Sequence, residues 1–427
     1  LSGCFPPTAP DETGEALPPR DFSWSFLDGG GPSDGLDETT GEILDVDTAT
    51  LGGELYVAWV DLSSVRVSRY DGGTTWTAVD AGGLNLDGSL WPSGSYFQKI
   101  SLQAFDGRLY LAWIEDPSDA FEVQEPQIRV AAYDPASPGW TYVHGGQRLN
   151  SSGLVAAGGP VLTATADKLY AVWQEGTPSR LFAAEYNGND LSPAWTTLGD
   201  DVINYSEGST AYRPDAAAFK GKLIVIWDED QSPTRDDIRA KAYDPNAGGT
   251  IESRWSEVDG GSLNRVPGEN GTVDSPGMLA TADALYVYWT EENTEGVEQV
   301  RARMYDGSTW TLIDGEEEAG LNFDSEQSAG WEPVAPAVVD GQIAAAFTEE
   351  NSTGILQLRA IILDGTADNP DPRIIDGGAS TGLNVEPSTY DALNPAATGY
   401  NGNLVIAWIE QVGAAAADQN VRVIIGQ

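Results

Sequence analysis

The sequence predicts an all-β chain, a seven-bladed β-propeller of four-stranded antiparallel blades, with its ring closed by an N-terminal strand that completes the last blade. Three observations predict it. An apolar strand ending in an aromatic residue and then an acid recurs seven times, each copy is followed by further short β-rich runs and Gly/Asp turns, and the strand missing from the last copy is found at the start of the chain.

The copies are LYVAWVD from residue 55, LYLAWIE from 109, LYAVWQE from 169, LIVIWDE from 223, LYVYWTE from 285, IAAAFTE from 343 and LVIAWIE from 404, spaced 54 to 62 residues apart. A fixed long period of this kind marks a repeat architecture. Before each copy stands a short segment and a turn such as FDGR or YNGN. After it comes a second β-rich run (VRVSRYDG, IRVAAYDP, VRARMYDG) and then a third built on Trp76, Trp140, Trp195, Trp255 or Trp310. Four short strands per unit give a four-stranded blade, and apolar residues on both strand faces suit a blade sandwiched between two neighbours. Apolar periods near two exclude a helical solenoid.

The seventh unit stops at VRVIIGQ, without its tryptophan strand. DFSWSFLDGG from residue 21 matches STWTLIDGEE from 308, and Gly35, Leu36 and Asp37 stand where other units have Gly-Leu-Asn. Residues 21–427 therefore read as one propeller domain, with 21–30 pairing with the C-terminal blade, behind a tether of residues 1–20.

Charge excludes one class of partner. The 427 residues carry 66 acids against 22 Lys and Arg, a net −44, which repels nucleic acid and anionic membrane and attracts cations or basic partners. Saline habitat or life outside the cell gives the same composition. One cysteine and one histidine rule out intrachain disulfides, multi-cysteine zinc sites and His-rich metal clusters. No apolar run approaches the length that spans a bilayer.

The opening LSGC resembles the end of a bacterial lipoprotein signal, the lipobox, which implies that Cys4 becomes the lipidated first residue of an exported protein. The proline-rich, acidic tract that follows reads as a flexible tether. Membrane association is expected only through a lipid on Cys4.

The acid of the repeat is present in every copy: Asp61, Glu115, Glu175, Glu229, Glu291, Glu349 and Glu410. Catalysis needs an acid once or twice per site, so a position filled in all blades reads as structural. Counting back from the Tyr-Asp turn of the next strand gives Arg66, Arg129, Arg239 and Arg301, with Arg359 and Arg422 at equivalent places and Phe182 in the third unit. If Trp113 faces Ala131, Glu115 faces Arg129, and a cross-strand Glu–Arg ladder runs around the ring. On that register Glu175 lacks its arginine and is the copy freest for another role. Asn85, Asn150, Asn204, Asn264, Asn322 and Asn384 also recur once per unit and read as turn residues. His144, at a strand end, reads as surface.

In the first unit, Asp71 to Trp76 reads DGGTTW, which resembles the core of the Asp-box, the bacterial neuraminidase repeat found between third and fourth strands of sialidase-like propellers. The box is a folding element and implies no activity. Sialidases use three arginines on a substrate carboxylate and usually have six blades; here only Tyr212, Arg213 and Pro214 resemble their Phe/Tyr-Arg-Ile-Pro motif.

The candidate ligand-binding face comprises Glu175, the loop acids Asp228, Asp230, Glu292 and Glu350, and the loop tryptophans Trp91 and Trp331. Such acids, with Asp116, supply the oxygen ligands calcium takes, but no EF-hand-like spacing occurs; no cofactor is predicted and calcium stays open. The expected function is a non-enzymatic, lipid-anchored, extracellular module that binds a protein or polysaccharide, cationic partners included, through an acidic loop face. The alternatives are a glycan-active hydrolase or lyase of the sialidase-like class and a structural subunit of an envelope or extracellular assembly.

Overall fold

The computed structural model describes residues 21–427 except 32, 38–41, 62–63, 87–99, 116–125, 146–147, 151–156, 200–202, 206–207, 233–234, 266–271, 316–319, 367–368, 379–380 and 414–417. Cys4, its tether, Trp91 and Asp116 lie outside the described residues.

Seven four-stranded antiparallel sheets form the ring. Blade 1 runs from Ile43–Leu51 to Thr75–Ala78, blade 2 from Ser101–Phe105 to Trp140–Tyr142, and blade 3 from Ala157–Ala164 to Trp195–Thr197. Blade 4 runs from Ala211–Phe219 to Trp255–Glu257, blade 5 from Val273–Ala280 to Trp310–Leu312, and blade 6 from Ala335–Val339 to Asn369–Ile374. Blade 7 joins Ala392–Tyr400, Asn403–Gln411 and Gln419–Gly426 to the N-terminal strand Trp24–Phe26, with Trp24 opposite Gly426. The ring thus closes by the strand expected from the sequence. The Asp-box-like turn sits between the third and fourth strands of blade 1.

A blade buries apolar side chains on both faces, so the core lies between blades. One cluster joins Tyr56, Val65 and Val67 of blade 1 to Leu102, Leu109 and Trp113 of blade 2, and another joins blades 2 and 3 around Ala112, Val130, Leu169 and Trp173.

The outer rim adds a directional bond to this burial. In six blades the outermost-strand tryptophan donates its indole N–H to a carbonyl of the preceding blade. Trp76 reaches Leu27 at 2.9 Å, Trp140 reaches Val79 at 2.9 Å, and Trp195 reaches Val143 at 2.7 Å. Trp255 reaches Leu198 at 2.6 Å, Trp310 reaches Val258 at 2.7 Å, and Trp24 reaches Ile375 at 2.8 Å. The acceptor always stands three residues after the tryptophan position of its own blade. Blade 6 breaks the series: Pro372 occupies the register of Trp310, so no indole crosses from it to blade 5.

Replacing Trp195 with Phe keeps a ring against Tyr186, whose centroid lies 5.0 Å away, and deletes only the bond to Val143. The expected cost is about 1 kcal/mol, read by urea unfolding; an unchanged midpoint would remove the indole bond from the account of seam stability.

Candidate functional site

In blades 2, 4, 5, 6 and 7 the recurring acid clasps the preceding blade. Glu115 accepts from the Leu86 N–H at 2.7 Å, and Glu229 from Tyr205 at 2.9 Å. Glu291 accepts from Arg265 at 2.8 Å, Glu349 from Phe323 and Asp324 at 2.7 and 2.8 Å, and Glu410 from Glu386 at 2.9 Å. Each donor follows the recurring asparagine of the preceding blade by one or two residues. In blades 3, 4, 5 and 7 the acid also takes the indole N–H of its own blade's core tryptophan, as in Trp227 to Glu229 at 2.6 Å and Trp289 to Glu291 at 2.8 Å. The asparagines end the turn as expected: Asn85, Asn150, Asn204, Asn264, Asn322 and Asn384 each accept an N–H of their blade's third strand, from Val65, Ile128, Leu181, Ile238, Val300 and Leu358. Asp37 does the same for Val421.

Arg129 pairs with Glu115 as the cross-strand count expects, at 3.0 Å, but the other bracing arginines pair elsewhere. The register is displaced by two residues: Arg129 faces Trp113 and Glu115 faces Gln127, while Arg301 faces Trp289 and Glu291 faces Gln299. The ion-pair partner is the aspartate that opens the turn after the outermost strand. Arg66 meets Asp80 at 2.9 Å, Arg239 meets Asp259 at 2.8 Å, and Arg301 meets Asp314 at 3.5 Å. Arg359 meets Asp376 at 3.2 Å and Arg422 meets Asp28 at 3.1 Å. Asp259 also accepts the Ala240 and Gly261 N–H groups, so one carboxylate fastens guanidinium, strand and turn. Half-exposed aromatics cover two of the guanidinium groups, Tyr205 over Arg239 at 3.7 Å and Phe323 over Arg359 at 4.1 Å.

Two blades depart from this brace, each in a compensated way. In blade 2 the aspartate is His144, which is buried, not on the surface. Its Nδ1 lies 3.4 Å from the Val130 N–H, the place the carboxylate takes elsewhere, and Arg129 turns to Glu115 at 3.0 Å. In blade 3 both charges are gone. Phe182 stacks on Trp173 with ring centroids 6.0 Å apart, and Gly199 stands at the aspartate position. Glu175 is not freed by this change: it faces Arg180 across the hairpin, takes the Trp173 indole N–H at 2.6 Å and is buried.

One row breaks the sevenfold symmetry. The residue between core aromatic and acid is Val60, Ile114 and Ile409 in blades 1, 2 and 7, but Gln174, Asp228, Thr290 and Thr348 in consecutive blades 3 to 6. These four are buried, so their polarity requires partners, and the innermost strands supply them. Register shifts in blades 3, 4 and 5 mark β-bulges, at which Gly159, Arg213 and Ser275 adopt positive φ, +55°, +46° and +50°. A bulge re-aims side chains. Arg213 thereby forks onto Asp228 at 2.9 and 3.0 Å, lies 2.7 Å from Asp274 of blade 5, and donates its N–H to Gln174 of blade 3 at 3.0 Å. Ser275 donates to the Trp331 carbonyl, and Thr348 donates to Glu332 at 2.8 Å. Asp274 and Glu332 occupy matching places, three residues before Gly277 and Ala335, which face Tyr288 and Ala346. Trp331, next to Glu332, is 66% exposed.

Acids also oppose each other at two hairpins of this region, Asp230 with Asp236 and Glu292 with Glu298; like charges so placed repel. Burial, with Asp230 adding to it, pushes Asp236 up to about 6. Burial, with Glu292 adding to it, pushes Glu298 up to about 7. Burial pushes Asp228 up against the pull of Arg213, and Asp274 and Glu332 rise for the same first reason. Of the acids expected at a ligand face, Asp230 and Glu350 are exposed, Glu292 is half-buried, and Asp228 is buried against Arg213. Among the described residues no three acidic, cysteine or histidine side chains form a group that could hold a metal ion. The sequence reading missed Arg213, Asp274 and Glu332 as a group; the polar-for-apolar change in the row after the aromatic was the signal.

This fold and geometry define a seven-bladed β-propeller with one asymmetric polar arc at the inner rim of blades 3 to 6. No protein-family model matches the chain, and no curated protein does. Solved structures resemble it at low identity. A Trypanosoma rangeli sialidase aligns at 11% identity over 77% of this chain and 54% of its own, with a TM-score of 0.47, so the match spans about half of the sialidase. An alpha-L-arabinofuranosidase from Fusarium graminearum aligns at 12% identity over 95% of this chain and 97% of its own, with a TM-score of 0.46. A thermostable family-43 glycoside hydrolase aligns at 12% over 64% of this chain and 92% of its own, with a TM-score of 0.37. These likenesses concern the propeller fold alone.

Blade 3 predicts the outcome of a double-mutant cycle in blade 4. Arg239→Phe or Asp259→Gly alone strands a buried charge and is expected to cost about 3 kcal/mol or more. The pair together, copying Phe182 and Gly199, is expected to cost clearly less than the sum of the two; additive losses in chemical denaturation would refute the brace. A second outcome follows from Glu298. A carboxyl raised on folding contributes stability that is complete below its unfolded value and is lost as pH rises towards 7. Glu298→Gln should therefore flatten the fall in Tm between pH 4.5 and 7.5, and an unchanged slope would dismiss the burial effect.

Proposed function

We propose that the chain binds a polysaccharide at the inner rim of blades 4 to 6, with Trp331 as the stacking surface and Asp274 and Glu332 as acceptors for sugar hydroxyls. The observation that carries this reading is the exposed indole of Trp331, fastened through its carbonyl to Ser275 and adjoining the buried polar row of blades 3 to 6. An aromatic face beside a few convergent polar groups suits a ligand that is apolar on its ring faces and polar on its edges. The fixed cross-links around it favour a preformed site, which lowers the ordering cost of binding.

A second reading, glycoside hydrolysis, is favoured by the raised carboxyls. Hydrolysis by a carboxyl pair needs one group protonated near neutrality and another ionised, and Glu298 and Asp236 are pushed towards that range. Export and lipid anchoring through Cys4 complete the proposal and would place the rim outside the cytoplasm.

Neutral, amino-bearing and acidic polysaccharides separate these readings when assayed for both retention and reducing-end release. Trp331→Ala should weaken retention at least about tenfold, equivalent to about 1.4 kcal/mol, with Tm unchanged. Equal retention by wild type and variant would reject the indole platform, and turnover would move the assignment to hydrolysis. For the anchor, Cys4→Ser in the full-length precursor should move the protein out of the membrane fraction; an unchanged distribution would rule out lipidation at Cys4.

A further inference from the structure

Arg213 differs from the bracing arginines in position and in what it touches. It lies on an innermost strand, at a bulge, in the left-handed region of backbone space at φ +46°, where a non-glycine residue carries strain. Its main chain is fixed to Gln174 of blade 3, and its guanidinium to Asp228 of its own blade and Asp274 of blade 5. One residue thus links three blades at the edge of the proposed ligand site.

The contacts also limit what Arg213 can do. Its Nε and Nη2 are committed to Asp228, and Nε lies 2.7 Å from Asp274, so the forked face that would receive a ligand carboxylate is already filled by the protein's own acids. Asp274, by contrast, is about a quarter exposed and lies between Arg213 and the rim that carries Trp331 and Glu332. We propose that Arg213 is a positioning residue: braced across blades 3, 4 and 5, it holds Asp274 ionised and oriented, and so sets the pH range over which the rim accepts hydrogen bonds from a ligand. This rests on the polysaccharide reading for its consequence, but not for its mechanism.

The charges around Arg213 make the mechanism specific. Asp228 faces it from the second strand of blade 4, Asp236 from the third, and Asp274 from blade 5. Tyr212 is its neighbour in sequence, and Glu298 and Glu332 are close enough to Asp274 for like-charge repulsion. All the carboxylates among them repel one another, and Arg213 is the cation between them. Without it Asp274 keeps its burial, its like-charged neighbours and its bonds from Ser275, but loses the largest attraction that opposes that burial, so its proton affinity rises.

The test titrates Asp274 in the ligand-free full chain by carboxyl carbon NMR, assigned by the signal lost in Asp274→Asn. Arg213→Gly removes the guanidinium and suits the positive φ; Arg213→Lys keeps a charge without the fork and serves if the glycine variant does not fold. The Asp274 midpoint is expected to rise by about one unit or more in Arg213→Gly, and by less in Arg213→Lys. The pH midpoint of polysaccharide retention should rise with it. An Asp274 midpoint that does not move overturns the proposal. So does a loss of retention that is equal at every pH with the midpoint fixed, which would make Arg213 a ligand contact. If no polysaccharide is retained by the wild type, the functional reading fails, while the ligand-free titration still decides the role of Arg213.

Discussion

The ring depends on the clasp between a buried acid and the backbone N–H groups of the blade before it. A four-stranded blade is apolar on both faces and stable only against neighbours, and apolar contact alone is non-directional. Glu229 gives the contact direction: one carboxylate meets the Tyr205 N–H of blade 3 and the Trp227 indole of its own blade. The loop, the core tryptophan and the seam are thereby fixed relative to one another. Because the donor follows the asparagine that caps the preceding blade's third strand, each clasp transmits the register of one blade to the next. The indole bonds of the outer rim repeat that relation farther out, except where Pro372 stands between blades 5 and 6.

Repetition within one chain also acts as an experiment in substitution. The Arg–Asp brace is lost as a unit in blade 3, where Phe182 and Gly199 replace both charges, and is rearranged in blade 2, where His144 takes over the backbone bond and Arg129 finds Glu115. Neither blade leaves a buried charge stranded. That is what desolvation demands: removing one partner from a buried pair is severe, whereas replacing both by packed apolar groups is tolerated. The brace is therefore one solution among several to the same packing problem, and the acid, present in all seven copies and clasping the preceding blade in five, is the less replaceable part.

Blade count, strand order and ring closure were legible in the sequence because each is written many times. The face carrying the arginines was legible too, while the partner was so only for Arg129, which meets Glu115. A register slip of two residues keeps every side chain on its own face, so counting along the strands placed Arg301 on the correct side but opposite Glu291 in place of Trp289. The true partner, Asp314, lies on the turn after the outermost strand, which no hairpin count reaches. Glu175 was misread for the same reason, since Arg180 faces it at the corrected register. The bulges were hidden because nothing in Tyr212-Arg213-Pro214 announces a positive φ at an arginine; a residue before proline is normally extended.

What a repeat protein does is expected where it stops repeating. Val60, Ile114 and Ile409 fill a position that in the other four blades is Gln174, Asp228, Thr290 and Thr348, and burying those polar groups earns nothing for packing that the aliphatic residues do not already supply. Arg213 adds a strained backbone to the same place, and the facing acids of two hairpins add repulsion. Each feature opposes stability; blade 7 shares the bulge, with Asn394 at φ +47°, but the buried polar row and the two hairpins with facing acids lie within blades 3 to 6. Buried polarity and facing acids, concentrated on one arc of a ring that fills the same row with Val60, Ile114 and Ile409 in the other blades, are the physical signature of a site kept for what it holds.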